Sequence, residues 1–247
     1  MNTTADTTES VERATDDLVA LPFVGEFKPA VRAALLVGAC ELLFDSGDQI
    51  LAAGDIPQEL CIVLAGMVEL SGTISEQTCG VLLLASGDVI TPTAVLYGEP
   101  CLTSTIALRP TRILTLRRQT VLEEAAKHPE VSLALARIVG AHWRMAVRQI
   151  IDLQCRSAPE RLGAFLLKFA DASTADPVEL PFAKGALATR LGISRETLSR
   201  AIQVVATNGI VLRGSRIVVR DRAKAEEFCG PAPYPKPDEF ALDVHAL

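Results

Sequence analysis

The segment that most constrains the fold is residues 187–209, where two short helical patterns are separated by a glycine. Gly192 permits a left-handed turn that a Cβ atom would oppose, and Ser194 has the position of an N-cap for the second helix. The inward positions are small or apolar, as a close helix crossing requires: Leu187, Ala188 and Leu191 in the first helix, Ile193 in the turn, and Leu198, Ala201 and Val205 in the second. This pattern predicts a helix-turn-helix.

The outward face of the second helix carries side chains that suit the edges of DNA bases. Arginine can donate two hydrogen bonds to guanine, and glutamate can accept one from cytosine in the major groove. Over about one and a half helical turns, enough to span a few base pairs, this face carries Arg195, Glu196, Ser199 and Arg200. The alternative is an ordinary helical pair with a solvated charged face.

Residues 210–219 are predicted to form a β-hairpin with a basic tip, which would be the wing of a winged helix. Apolar residues 210–212 and 217–219 flank the tip, which contains Arg213 and Arg216 around Gly214. Arginines at such a tip can bind phosphates and fix the register of a protein on DNA. The predicted DNA-binding residues are therefore Arg195, Glu196, Thr197, Ser199, Arg200 and Arg216.

The charge distribution places a basic segment inside an acidic chain. The chain has a net charge of −6, whereas residues 161–222 contain 10 Lys and Arg against 5 Asp and Glu. A local excess of positive charge attracts phosphates, and the acidic remainder is expected to repel them. Only this part of the molecule is therefore predicted to face double-stranded DNA.

Upstream, from about residue 41 to residue 118, short β-rich runs alternate with turns. The turns contain Gly47-Asp48, Gly54-Asp55, Gly66 and Gly87-Asp88. Strands that recur at short intervals between such turns are typical of a compact antiparallel barrel or roll. Because no long helices alternate with these strands, a nucleotide-binding parallel sheet is disfavoured.

A long helical pattern follows over residues 129–155. Its apolar residues are spaced alternately by three and four: Ala136, Val139, Trp143, Ala146, Ile150 and Leu153. Such a narrow stripe is typical of a seam between two helices. We therefore predict a homodimer whose interface contains Val139, Trp143, Ala146, Ile150 and Leu153; the alternative is that the helix packs on its own β-domain.

Composition argues against several other classes of protein. Six cysteines without a C-x-x-C pair predict reduced, mostly buried thiols and no metal site. Three histidines, none in a nucleophile or metal motif, argue against an enzyme. No apolar run is long enough to span a membrane, and residues 1–20 lack the regions of a signal peptide, so we expect a disordered leader and a cytoplasmic protein.

Together these elements resemble the CRP/FNR family of bacterial transcription regulators over about residues 20–228. The most specific match is residues 192–200, Gly-Ile-Ser-Arg-Glu-Thr-Leu-Ser-Arg. The resemblance implies that Glu196, Ser199 and Arg200 are base readers of the FNR type, which read an inverted repeat with TTGA-like half-sites. It also implies RNA polymerase as a partner.

The chain departs from the family at the positions that bind cyclic AMP. Members that bind cyclic AMP hold its phosphate with a Gly-Glu pair and a later arginine, whereas the aligned positions here are Thr91-Pro92 and Cys101-Leu102. The helix positions that meet the adenine are the apolar Ala146-Val147. A buried phosphate would lack a counter-charge, so we predict no cyclic nucleotide binding. The cysteine cluster of iron–sulfur oxygen sensors is also absent, so no such cluster is predicted.

What remains is an apolar effector pocket between roll and helix, for which Cys101, His142 and Ala146 are candidate residues. His142 is a candidate haem ligand, as in some gas-sensing members; the alternative is a polar residue at a helix interface. Cys101 and Cys155 are candidate redox switches.

The predicted fold class is α+β: an N-terminal antiparallel β-roll like that of cyclic-nucleotide-binding domains, a long dimerisation helix and a C-terminal winged helix-turn-helix. The predicted domains are a leader (1–20), a roll (21–128), a dimerisation helix (129–156), a DNA-binding domain (157–228) and a tail (229–247). The predicted function is transcription regulation by a signal other than a cyclic nucleotide. Haem or thiol sensing is one alternative, and a roll that serves as a protein-interaction module is another.

Overall fold

A computed structural model describes residues 24–25, 27–75, 77–172, 177–180 and 184–230. The predicted leader at 1–20 and all but two residues of the predicted tail at 229–247 lie outside the described residues. The chain divides into two compact units, whose described parts are residues 24–70 with 83–143, and residues 71–82 with 144–230.

Among the described residues, eight strands precede the long helix: β1 (Cys40–Phe44), β2 (Gln49–Leu51), β3 (Glu59–Ala65), β4 (Met67–Ile74), β5 (Gln77–Ala85), β6 (Val89–Ile90), β7 (Ser104–Ala107) and β8 (Thr111–Arg117). The described helices of the same part of the chain are α1 (Pro29–Leu35), α2 (Pro92–Tyr97), α3 (Arg118–Lys127) and the long helix α4 (Pro129–Cys155). The remaining elements are α5 (Ala158–Ala172), β9 (Val178–Glu179), α6 (Lys184–Leu191), α7 (Arg195–Thr207), β10 (Ile210–Arg213), β11 (Arg216–Val219) and α8 (Arg222–Cys229).

The strands before the long helix form two four-stranded sheets, in the orders β1-β8-β3-β6 and β2-β7-β4-β5. In the first sheet, β8 lies between β1 and β3 and pairs antiparallel with both. Strand β3 is buried along most of its length and also pairs antiparallel with β6. The predicted antiparallel β-roll is confirmed.

Each Gly-Asp turn of the roll contains the same type of hydrogen bond. A carboxylate oxygen of Asp48, Asp55 and Asp88 accepts a hydrogen bond from the backbone N–H three residues earlier, at distances of 2.8, 3.0 and 2.8 Å. The glycine before each aspartate has a positive φ, which places the carboxylate back over the turn. The repeated dipeptide is therefore a turn motif rather than a ligand site.

The first half of the long helix buries one apolar face in the first unit. Val131, Leu135 and Ile138 are buried in the core of the first unit with residues of β3, β8 and α1. Trp143, in contrast, has 67% of its surface exposed. The helix therefore does pack on its own β-domain, but through a face other than the predicted dimer stripe.

The second unit contains a three-helix core closed by a small sheet. Leu162 and Leu166 of α5 are fully buried against the inward residues of α6 and α7. Strands β10 and β11 form a hairpin, and β9 pairs with the other edge of β11. This arrangement confirms the predicted winged helix-turn-helix.

The cysteines differ in part from the prediction. All six are free, but Cys40, Cys79 and Cys155 are exposed, so the expectation of mostly buried thiols was wrong. Among the described residues no group of three or more His, Cys, Asp or Glu side chains is arranged to hold a metal ion. None of the described helices combines the length and apolarity needed to cross a lipid bilayer.

Replacing Gly66 by alanine is expected to destabilise the roll more than replacing Gly54. Both glycines have positive φ, but a Cβ on Gly66 would come within 2.6 Å of Thr111 Cα, while nothing lies within 4 Å of one on Gly54. The backbone strain should cost about 1–2 kcal/mol at either position. Overpacking should add about 1–3 kcal/mol at Gly66. Scanning calorimetry of the full chain measures the difference, and equal melting temperatures would contradict this account.

Candidate nucleic-acid interface

The turn between α6 and α7 has the geometry that the sequence predicts. Gly192 has a φ of +64°, and the N–H of Ile193 donates to the carbonyl of Ala188 at 3.1 Å. The Ser194 hydroxyl accepts a hydrogen bond from the N–H of Thr197 at 3.1 Å, so Ser194 is the N-cap of α7. The start of the second helix is therefore locally determined.

Three of the predicted base readers are presented to solvent on α7. Glu196, Ser199 and Arg200 are exposed, and no described residue forms a side-chain hydrogen bond or ion pair with them. Leu198 and Ala201, which alternate with them, are buried in the core. The buried residues fix the rotation of the helix, so the three polar side chains face solvent.

Two further predicted residues of this helix are placed differently. The Thr197 hydroxyl lies 3.0 Å from the Ser194 hydroxyl, so Thr197 belongs to the helix cap. The Arg195 guanidinium lies along α6, where its Nη2 would be 3.3 Å from a Cβ on Gly185. The absence of a side chain at Gly185 makes room for Arg195, a relation across the turn that the spacing of residues did not reveal.

The wing presents two arginines at its tip. Arg213 and Arg216 are directly opposite in the antiparallel register of β10 and β11, and both are exposed. Gly214 has a φ of +62° between them. On the other side of β11, Arg216 pairs in register with Glu179 of β9, and the N–H of Leu180 donates to the carbonyl of Ser215 at 2.8 Å. The tip is thus supported by a third strand that the sequence analysis missed.

The three candidate effector residues differ in burial. Cys101 is 3% exposed, and its Sγ donates to Thr91 Oγ1 at 3.9 Å. Burial raises the pKa of the Cys101 thiol, which is therefore neutral at pH 7. His142 is half-buried on α4, and burial lowers its pKa to about 4, so the imidazole is neutral as well. Ala146 is half-buried.

Two cavities occur elsewhere on the described surface. One, of about 340 Å³, lies where the end of α4, the start of α5 and the end of α8 meet, and its lining includes Cys155 and Cys229. The other, of about 550 Å³, lies beside the start of α3 and is lined by Gln58, Arg117 and Arg118 among others. Neither is lined by Cys101, His142 or Ala146, so the predicted effector pocket does not coincide with either cavity.

The predicted dimer stripe is largely exposed in the single chain. Trp143, Ile150 and Leu153 are 67%, 50% and 45% exposed, and Val139 and Ala146 are half-buried. Leu153 also reaches the helix-turn-helix, because its Cδ2 would be 3.5 Å from a Cβ on Gly192. The last turn of α4 therefore adjoins the turn before α7, which is the recognition helix, the second helix of the helix-turn-helix.

Comparisons with known proteins identify both halves of the chain. A model of the cyclic nucleotide-binding domain matches residues 41–128, and a model of the Crp-like helix-turn-helix domain matches residues 160–228. The chain is 29% identical to the cyclic AMP receptor protein of Thermus thermophilus over 188 residues, which are 75% of this chain and 86% of that protein. It is 29% identical to the nitrogen fixation regulation protein FixK of Azorhizobium caulinodans over 134 residues, 51% of this chain and 54% of that protein.

The fold is shared with solved structures. The structure of FixK2 from Bradyrhizobium japonicum matches with a TM-score of 0.70 and 22% identity, covering 78% of this chain and 98% of the other. The two domain models and the related regulators agree with the roll and the winged helix-turn-helix of this chain. This protein therefore belongs to the CRP/FNR family of bacterial transcription regulators.

Proposed function

We propose that the protein is a homodimeric regulator that reads an inverted repeat with TTGA-like half-sites through the major groove. The observation that carries this proposal is the exposure of Glu196, Ser199 and Arg200 on one face of α7, without a partner among the described residues. Their residue types and spacing suit base edges, and their exposure leaves them accessible to a duplex. In the cell, RNA polymerase is the proposed protein partner.

The two kinds of basic residue have separate roles in this proposal. Arg200 projects from the recognition helix and is positioned to donate to a base. Arg213 and Arg216 at the wing tip are assigned to phosphates, which carry no direct sequence information. Arg195, whose guanidinium lies against Gly185 of α6, is also assigned to the phosphate backbone of the DNA.

Substituting the base readers is expected to change specificity, whereas substituting the wing arginine should change only affinity. Glu196→Ala and Arg200→Ala should each cost about 1–3 kcal/mol of discrimination between a TTGA-type palindrome and a half-site variant. Arg216→Ala is the matched control, because it should weaken binding to all duplexes equally and lower the salt slope by about one. Fluorescence anisotropy at several salt concentrations measures both quantities.

Unchanged discrimination in both base-reader variants would contradict the assigned readout. If the wild-type protein binds all duplexes equally, the alternative is favoured. The roll would then serve as a protein-interaction module in a protein without specific DNA binding. The salt slope separates these outcomes, because non-specific binding consists almost entirely of phosphate contacts.

The dimer is proposed to form along the exposed stripe of α4. Single exposed apolar side chains are common on protein surfaces, but Trp143, Ile150 and Leu153 follow one narrow stripe of one helix. A two-fold dimer would place two recognition helices at successive turns of DNA, about 34 Å apart. The seam would also remove this apolar surface from water.

Ile150→Glu is expected to yield monomers, because two charges would face each other across the seam. Leu133→Glu is the matched control, since Leu133 is 53% exposed on the same helix but lies off the stripe. Light scattering should report a monomer only for Ile150→Glu, and affinity for the palindrome should fall about 100-fold or more through lost avidity. A stable dimer in Ile150→Glu would place the interface elsewhere.

The proposed signal is not a cyclic nucleotide. At the position where cyclic-AMP-binding members carry an arginine, Cys101 is a buried neutral thiol that contacts Thr91. A cyclic phosphate in this place would lose its hydration without gaining a cation. The relative from Thermus thermophilus is named a cyclic AMP receptor, so this departure would separate the two proteins in ligand.

Calorimetric titration of the full-length protein with cyclic AMP and with cyclic GMP is expected to show no saturable binding. The missing charge-assisted hydrogen bonds should raise the dissociation constant by several orders of magnitude. Each factor of ten corresponds to about 1.4 kcal/mol of lost binding free energy. Saturable binding of either nucleotide at micromolar concentrations would contradict the proposal.

A further inference from the structure

One guanidinium joins the carboxyl ends of two helices in the second unit. Arg161, in the first turn of α5, donates from Nη1 to the carbonyl of Arg156 at 2.7 Å, immediately after the end of α4. It donates from Nη2 to the carbonyl of Leu191 at 3.3 Å, at the last residue of α6. Its side chain is thus shared between the long helix and the helix-turn-helix.

Both carbonyls need an external donor. The carbonyl groups of a final helical turn have no partner within the helix, and the helix dipole makes that end partially negative. At Leu191 the chain leaves the helix through the left-handed turn at Gly192, so the helix itself does not supply the missing N–H. Arginine suits this place because its planar fork presents several donors in fixed directions.

The surroundings restrict the Arg161 side chain. It is half-buried, and its Nε is inaccessible to solvent and unpaired among the described residues. Burial of this unpaired donor costs free energy. The guanidinium therefore reaches the two helix-end carbonyls although its own Nε is left without an acceptor. Leu153 of the long helix also lies against the Gly192 turn, so an apolar contact joins the same two parts of the unit. The connection therefore has a polar and an apolar part.

We propose that Arg161 is a positioning residue that sets the direction of the recognition helix relative to the end of the long helix. In a dimer, this direction determines which separation of half-sites the two recognition helices can reach. The inference rests on the proposed function, because it assumes a dimer on an inverted repeat. Arg161 would contact no base; it would act through the carbonyls of Arg156 and Leu191.

Half-site spacing is the sensitive readout for such a role. Inserting or removing one base pair shifts one half-site by about 3.4 Å and rotates it around the helix axis, so a rigid dimer should reject it. A loosened connection lets each recognition helix follow its half-site. Discrimination between spacings then falls, while discrimination between bases within a half-site is kept.

The test uses the full-length protein and duplexes that carry a TTGA-type inverted repeat with spacers varied one base pair at a time. Wild type is expected to prefer one spacing over its neighbours by about tenfold or more. Arg161→Met should reduce this preference to about threefold or less, with single-base discrimination unchanged. Arg161→Lys, which keeps the charge but not the fork, should give an intermediate preference.

Arg222→Met is the matched control. Arg222 also makes a two-pronged guanidinium contact in this unit, to Asp171 at 2.7 and 2.8 Å, but it pairs with a carboxylate rather than with helix ends. It should leave the spacing preference at its wild-type value. Thermal melting of each variant is recorded beside the binding measurements, and Arg161→Lys decides the result if Arg161→Met melts below the assay temperature.

A wild-type spacing preference in both Arg161 variants would overturn the inference. It would also be overturned if both variants lost affinity equally at every spacing, or if neither folded, because Arg161 would then hold the fold together without aiming the helix. If wild type itself binds no inverted repeat, the proposed function fails first, and this outcome is distinct because it appears before any substitution is made.

Discussion

The left-handed turn at Gly192 is the constraint on which the DNA-facing half depends, since it ends α6 and begins α7 within three residues. A continued helix would abolish the crossing of α6 and α7 and remove the cap at Ser194. The turn also leaves the Leu191 carbonyl without a helical partner, and Arg161 supplies the missing donor. One backbone conformation therefore connects the recognition helix, its cap and its support on α5.

The charge distribution also distinguishes the DNA-facing half of the chain from the roll. The basic segment 161–222 lies within a chain of net charge −6, so phosphates are attracted to one region of it. In the roll, the positions that the family resemblance aligns with a phosphate site include Thr91 and Cys101, whose neutral side chains contact each other. On these grounds we propose that the basic segment faces DNA and that the roll holds no cyclic phosphate.

Much of the fold was predictable because its signals are local. The spacing of Leu187, Leu191, Leu198 and Val205 predicted the two crossing helices, and the Gly-Asp dipeptides predicted the turns of the roll. The burial of thiols was predicted wrongly for Cys40, Cys79 and Cys155, since composition does not tell which face of an element is covered. The long helix was described by one stripe, whereas Val131, Leu135 and Ile138 use a second face to pack on the roll.

The amino-acid sequence by itself determined the class of protein, the two crossing helices and the polar outward face of α7, because these depend on residues three to seven positions apart. Tertiary structure alone decided that Arg195 lies over Gly185, that Thr197 belongs to the cap and that β9 supports the wing. It also decided that Arg161 reaches Leu191, thirty residues along the chain. Contacts between residues so far apart in the sequence depend on how packed helices cross. The local spacing of apolar residues carries no information about such crossings.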